Sequence, residues 1–99
     1  MNINIHTVHF DADSKLLEHI ETKGAKINQF YDKIIKIDVY LKLDNVVHAI
    51  KDKIAEIKVH IPGHDLFVKQ SSKSFEESFD AALESVINQI KKKKEKLAA

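Results

Sequence analysis

Apolar residues recur along this chain with two different periods, and the changes of period mark its elements. From Lys36 to Leu43 the pattern alternates. Ile37, Val39, Leu41 and Leu43 fall on one side, and Lys36, Asp38, Tyr40 and Lys42 on the other. Ala55, Ile57, Val59 and Ile61 alternate in the same way. A period of two signals a strand with one buried face. Pro62-Gly63-His64-Asp65 follows at once with turn chemistry, and Leu66 to Gln70 reads as extended, so a hairpin is predicted. Ile3 and Ile5 place another strand over residues 2–8. Asp44-Asn45 can start a turn. Val46 to Ile54 fits either an extension of the two strands it joins or a short irregular connection, and we read it as a long hairpin arm with a mobile tip.

Elsewhere the period is three to four. Asp11-Ala12-Asp13-Ser14 supplies N-cap residues for a helix with Leu17, Ile20, Gly24, Ile27 and Tyr31 on one stripe and Leu16 and Phe30 beside it. A mid-helix glycine costs roughly 1 kcal/mol relative to alanine. Gly24 lies on the apolar stripe, which implies close packing on the sheet. The last third carries Phe75, Phe79, Ala82, Leu83, Val86, Ile87 and Ile90 on a single apolar face. Ser74 with Glu77 three residues later forms a capping box at its start.

The order strand, helix, three strands, helix implies an α+β domain, β-α-β-β-β-α. A right-handed crossover makes the first two strands parallel, and hairpins add the others antiparallel. Each helix has one apolar face, so both pack on the same face of a mixed four-stranded sheet. The other face stays open, with Tyr40, Lys42, Lys58, His60, Phe67 and Lys69 as neighbours.

Length and composition narrow the function. The 99 residues suffice for one domain with a modest core, residues 1–99, in which residues 91–99 form a lysine-rich helix end and tail. No apolar run approaches membrane-spanning length, no secretory signal opens the chain, and cysteine is absent, which fits a cytoplasmic protein. The net charge is only +1, so a nucleic-acid partner has to be met by a local patch.

Such a patch is present at the end of the last helix. Glu76, Glu77 and Asp80 suit the positive end of the helix dipole, and lysines suit the negative end. Lys91-Lys92-Lys93-Lys94, then Lys96, exceed what the dipole requires. Lys15, Lys23 and Lys26 belong to the first helix, and Lys23 and Lys26 share its polar face. Taken singly, each reads as ordinary helix solvation. With the helices side by side, they join into one cationic surface that meets phosphates as point charges, without base specificity.

Other constellations carry less. Tyr40 and Phe67 beside Lys42, Lys58 and Lys69 suit base stacking, or equally a cross-strand aromatic pair that stiffens the sheet. His60 and His64 flank the Pro-Gly turn and His6 and His9 end the first strand, but none has metal-site spacing with a carboxylate, so no metal is expected. No phosphate loop, nucleophile elbow or acid–base pair is visible, and no catalytic residue, cofactor or small-molecule substrate is expected.

Several strings, in order and at suitable spacing, resemble the short ribosome hibernation-promoting factors, also known as ribosome-associated inhibitors. They are Met1-Asn2-Ile3-Asn4-Ile5, Ala25-Lys26-Ile27-Asn28-Gln29-Phe30-Tyr31-Asp32-Lys33-Ile34, Val39-Tyr40-Leu41-Lys42 and Val59-His60-Ile61-Pro62-Gly63. Phe79-Asp80-Ala81-Ala82-Leu83, Asn88-Gln89-Ile90 and Lys92-Lys93-Lys94-Glu95-Lys96-Leu97 complete the set. The resemblance implies binding to the small ribosomal subunit and its rRNA between head and body, in the mRNA/tRNA channel, with translation blocked by occupancy. It makes Lys23 and Lys26 of the first helix, and Lys92, Lys94 and Lys96 of the second, expected rRNA contacts, and the lysine run itself adds Lys91 and Lys93 to that set. The family's Asp-Met-Tyr-x-Ala-Ile-Asp string stands here as Ser74-Phe75-Glu76-Glu77-Ser78-Phe79-Asp80, with Glu76 in place of tyrosine. Ser85 and Asn88 replace basic residues, and Glu84 adds acid nearby, so the middle of the helix is less cationic than in the family. The connection from Asp44 to Lys53 is longer, and the chain is expected to lack both the dimerising C-terminal domain of long members and an acidic tail. The alternative is a small α/β protein-interaction domain with no RNA partner.

Overall fold

The computed structural model describes residues 3–8, 10–45 and 51–98. Its elements run β1 (Ile3–Val8), α1 (Ser14–Gly24), α2 (Ile27–Phe30), β2 (Lys36–Asn45), β3 (Lys51–Ile61), β4 (His64–Ser72) and α3 (Phe75–Ala98). The sheet order is β1-β2-β3-β4. β1 is parallel to β2, and the remaining pairs are antiparallel. The β-α-β-β-β-α order and the mixed four-stranded sheet follow the alternation and the crossover rule. The β2–β3 ladder continues to Asn45 opposite Lys51, so the long hairpin arm is present. Its predicted tip, at 46–50, lies outside the described residues, as does His9.

One core joins the helices to one face of the sheet. Ile37, Val39, Leu41, Ala55, Ile57, Val59, Ile61 and Val68 come from the strands; Leu16, Ile20 and Ile27 from α1 and α2; Phe75, Phe79, Ala82, Leu83, Val86 and Ile90 from α3. Leu16, not Leu17, takes the core position on α1. The Asp13 side chain accepts from the Leu16 N–H at 2.8 Å and caps the helix. At Gly24 a Cβ would stand 2.9 Å from Ile3 Cδ1, which is the close approach that the glycine permits. Gly63, in the β3–β4 turn, has φ 94, a conformation open to glycine and strained for other residues.

The first helix does not continue smoothly to Tyr31. Ala25 and Lys26 stay right-handed, but Lys26 N–H bonds to Lys23 O, Asn28 N–H to Ala25 O and Gln29 N–H to Lys26 O. These three-residue spacings tighten the chain in the manner of a 3₁₀ turn. Tyr31 is already extended. The tightening sets α2 off from α1 and turns Phe30 toward α3.

The capping box is half formed. Ser74 Oγ accepts from Glu77 N–H at 3.2 Å, yet the Ser74 N–H donates to Ser72 Oγ, and the Glu77 carboxylate faces the Ser72 hydroxyl. Ser72 thus takes the return role expected of Glu77. α3 then runs through the lysines to Ala98, about 36 Å at the usual rise per residue.

Candidate nucleic-acid interface

α3 lies beside α1 and α2 in the same direction, because His19 meets Asp80 at one end and Phe30 meets Lys91 at the other. Asp80, Leu83, Glu84, Ile87, Asn88 and Lys91 succeed one another at helical spacing and form one wall and the floor of an open groove. Lys23 and Lys26 form the other wall. The tightened turn after Gly24 places Lys26 across from the C-terminal turns of α3. Three of the seven lysines expected to bind RNA therefore converge on one groove of about 470 Å³.

The groove has a polarity. Asp80 and Glu84 stand toward its start and Lys91 at its far end, so the α3 wall turns from acidic to basic along the groove, while Lys23 and Lys26 line the opposite wall. His19 Nε2 lies 2.8 Å from Asp80 Oδ1, which supplies a partner for the carboxylate at the acidic end. Lys91 Nζ sits 5.0 Å from the centroid of the Phe30 ring. Lys15 lines an adjoining depression with Glu18, His19, Thr22 and Lys23, so the cationic strip reaches back along α1.

The remaining lysines divide. Lys92 and Lys93 line a separate concavity with His64 and Gln89, and Lys93 Nζ lies against the His64 ring nitrogens at 2.9 and 2.6 Å. They are on the hairpin side of α3, away from Lys23 and Lys26. The side chains of Lys94 and Lys96 lie outside the described residues.

The open face of the sheet has a different electrostatic character. Asp38, with its side chain 9% exposed, faces His60 Nε2 at 2.8 Å, His6 Nε2 at 3.4 Å and Lys36 Nζ at 3.8 Å, and accepts from Asn4 Nδ2 at 3.4 Å. The other His60 ring nitrogen lies 2.9 Å from Asp65. Burial pushes the Asp38 carboxyl up, but hydrogen bonds from His60, His6 and Asn4 and the charge of Lys36 outweigh it and hold the group below the ordinary value of 3.8. Lys42 pairs with Glu56 at 3.1 Å and Lys58 with Asp65 at 3.7 Å. Most of the cations on this face are thus matched by carboxylates.

This network was not visible in the alternation, because it depends on the register that sets Lys36 opposite His60 and His60 opposite Asp65. The expected Tyr40–Phe67 pair does not form. Tyr40 stacks on His6, with centroids 4.7 Å apart, while Phe67 lies opposite Lys58 and remains 52% exposed. The strand between them supplies the reason: Tyr40 is on β2 and Phe67 on β4. Among the described residues, no group of three or more histidines and carboxylates is arranged to hold a metal ion, and no helix is long and apolar enough to cross a membrane.

Residues 3–98 match the family described as Sigma 54 modulation protein / S30EA ribosomal protein. The chain belongs to this family. Among S30EA relatives, the ribosome hibernation promoting factors of Salmonella typhimurium and Escherichia coli are each 25% identical over 97 residues, covering 98% of this chain and 97% of theirs. That of Pseudomonas putida is 25% identical over 96 residues, covering 97% of this chain and 89% of its own. The fold is shared with a ribosomal subunit interface protein from Coxiella burnetii, at TM-score 0.83 and 22% identity over 95% of this chain and 98% of that one. It is shared too with the N-terminal domain of Thermus thermophilus Protein Y, at TM-score 0.73 and 22% identity over 93% of this chain and 98% of that one. Within the S30EA fold, the departures at Glu84 and Asn88 fall on the wall of the groove and Ser85 is half-buried beside it.

Proposed function

We propose that this S30EA chain is a ribosome hibernation factor of the cytoplasm. It binds the rRNA of the small ribosomal subunit in the mRNA/tRNA channel and inhibits translation by occupying that space, without catalysis. Relatives named ribosome hibernation promoting factor along nearly the whole chain support the ribosome as partner. The observation that carries the mode of binding is the convergence of Lys23, Lys26 and Lys91 from two helices on one open groove.

Lysines in such a groove neutralise phosphates and release counterions, so binding weakens with salt. Site selection then comes from the shape of the channel against a rigid domain, not from reading of bases. Lys92, Lys93, Lys94 and Lys96 extend the cationic reach along the end of α3. The compensated charges of the open sheet face leave the helix face as the one that meets rRNA.

Sucrose-gradient sedimentation of the chain with purified ribosomes, at low and high salt, tests the reading. Comigration with the small subunit or the intact ribosome at low salt, lost at high salt, supports it. Asp80 and Glu84 in the same groove favour the rival, a protein-interaction domain with no RNA partner. Free protein at the top of a low-salt gradient would select that rival.

A further inference from the structure

We infer that Phe30 is a positioning residue that acts on RNA through Lys91, a role that rests on the proposed function. Lys91 is exposed and lines the groove with Lys23 and Lys26 and with two carboxylates, Asp80 and Glu84, that stand toward its other end. An exposed lysine on its flexible four-carbon stem otherwise swings freely in water. The Phe30 ring opposes this. Its face carries the negative part of the aromatic quadrupole, and the Lys91 ammonium lies 5.0 Å from its centroid.

Three features of the chain produce the contact. The three-residue hydrogen bonds at Lys26, Asn28 and Gln29 tighten the turn after α1 and set Phe30 toward α3. Phe30 packs half-buried against the core, so its ring is a fixed platform. Lys91 follows Ile87 and Ile90 on α3, which packs against the sheet and α1, so its backbone is fixed as well. A long lysine side chain held over a ring has lost rotamer freedom before any phosphate arrives. That lowers the entropic penalty of binding, as preorganisation generally does.

The test is a double-mutant cycle with affinity for purified small subunits as readout. The variants are F30L, F30Y, K91Q and F30L/K91Q, all at one salt concentration. F30L keeps an apolar side chain but removes the π face, and is expected to weaken binding about two- to fivefold. F30Y keeps the π face and is expected to bind like the unmodified chain. In the K91Q background, F30L is expected to add no further loss, because the residue through which Phe30 acts is gone. Equal losses from F30L with and without Lys91, or an F30Y variant as weak as F30L, would overturn the positioning role while leaving ribosome binding intact. An unmodified chain that does not bind small subunits at all would overturn the proposed function, and this role with it.

Discussion

Oδ2 of Asp38 lies 2.8 Å from Nε2 of His60, across the β2–β3 ladder, on the face of the sheet opposite the described helices. A nearly buried carboxylate on an open face is costly unless its lone pairs are used. His60, His6, Asn4 and Lys36 use them. The pair therefore acts as a cross-strand tie, and the aromatic stack of His6 on Tyr40 extends it to β1.

Asp38→Asn is expected to lower stability by about 1–3 kcal/mol at neutral pH, since it weakens bonds to a charged acceptor. The folded-state pKa of Asp38 lies below its ordinary 3.8, so the native state binds fewer protons there than the unfolded chain. Its contribution is complete about one pH unit above 3.8 and is lost as pH falls through the lowered folded value. Urea denaturation of both proteins across this range should show the difference between them shrinking as pH falls through 3.8 and below.

Phe79 has no exposed surface and lies where α1, α3 and the sheet meet, with the His19 ring edge-on at 6.1 Å. Phe79→Ala is expected to cost about 3–5 kcal/mol. Such a loss is a large share of the total for a small domain. Thermal unfolding by circular dichroism measures it.

Ser78 is fully buried and donates from Oγ to the backbone carbonyl of Lys53, with Ser72 Oγ 3.2 Å away, tying the start of α3 to β3. Ser78→Ala leaves that carbonyl without its partner and is expected to cost about 1–3 kcal/mol by urea denaturation. Ser74→Ala removes only a cap that accepts the Glu77 N–H, at about 1 kcal/mol.

Lysine substitutions separate the two faces. Changing Lys23, Lys26 and Lys91 together to Gln is expected to reduce the slope of log affinity against log salt by about 2–3, as for three lost phosphate contacts. Lys42→Gln on the open face, where Glu56 already compensates the charge, should leave the slope unchanged. Titrations of labelled protein with small subunits at several salt concentrations measure both.

The strands were legible because alternation reports burial directly, and Ile37, Val39, Leu41, Ala55, Ile57, Val59 and Ile61 are all buried. The last helix was legible for the same reason, at its own period. Leu16 and Leu17 were harder to separate, because adjacent leucines differ by only one helical step and the entry angle after Asp13 decides which points inward. The tightening at Ala25 and Lys26 left no mark in composition, since both residues are good helix formers and the change is one of hydrogen-bond spacing. The groove was half legible. Lys23 and Lys26 could be placed on a polar face, but only the parallel course of α1 and α3 selects Lys91 as their neighbour and sends Lys92 and Lys93 to the other side. The Asp38 network needs the register of all four strands, which local pattern does not contain.

The most direct measurement is a cryo-EM map of this chain bound to its small ribosomal subunit. Density is expected between head and body, with the groove of Lys23, Lys26 and Lys91 against rRNA phosphates and the open sheet face turned from them. A chain absent from the channel, or one that meets rRNA through the face of Asp38 and His60, would contradict it.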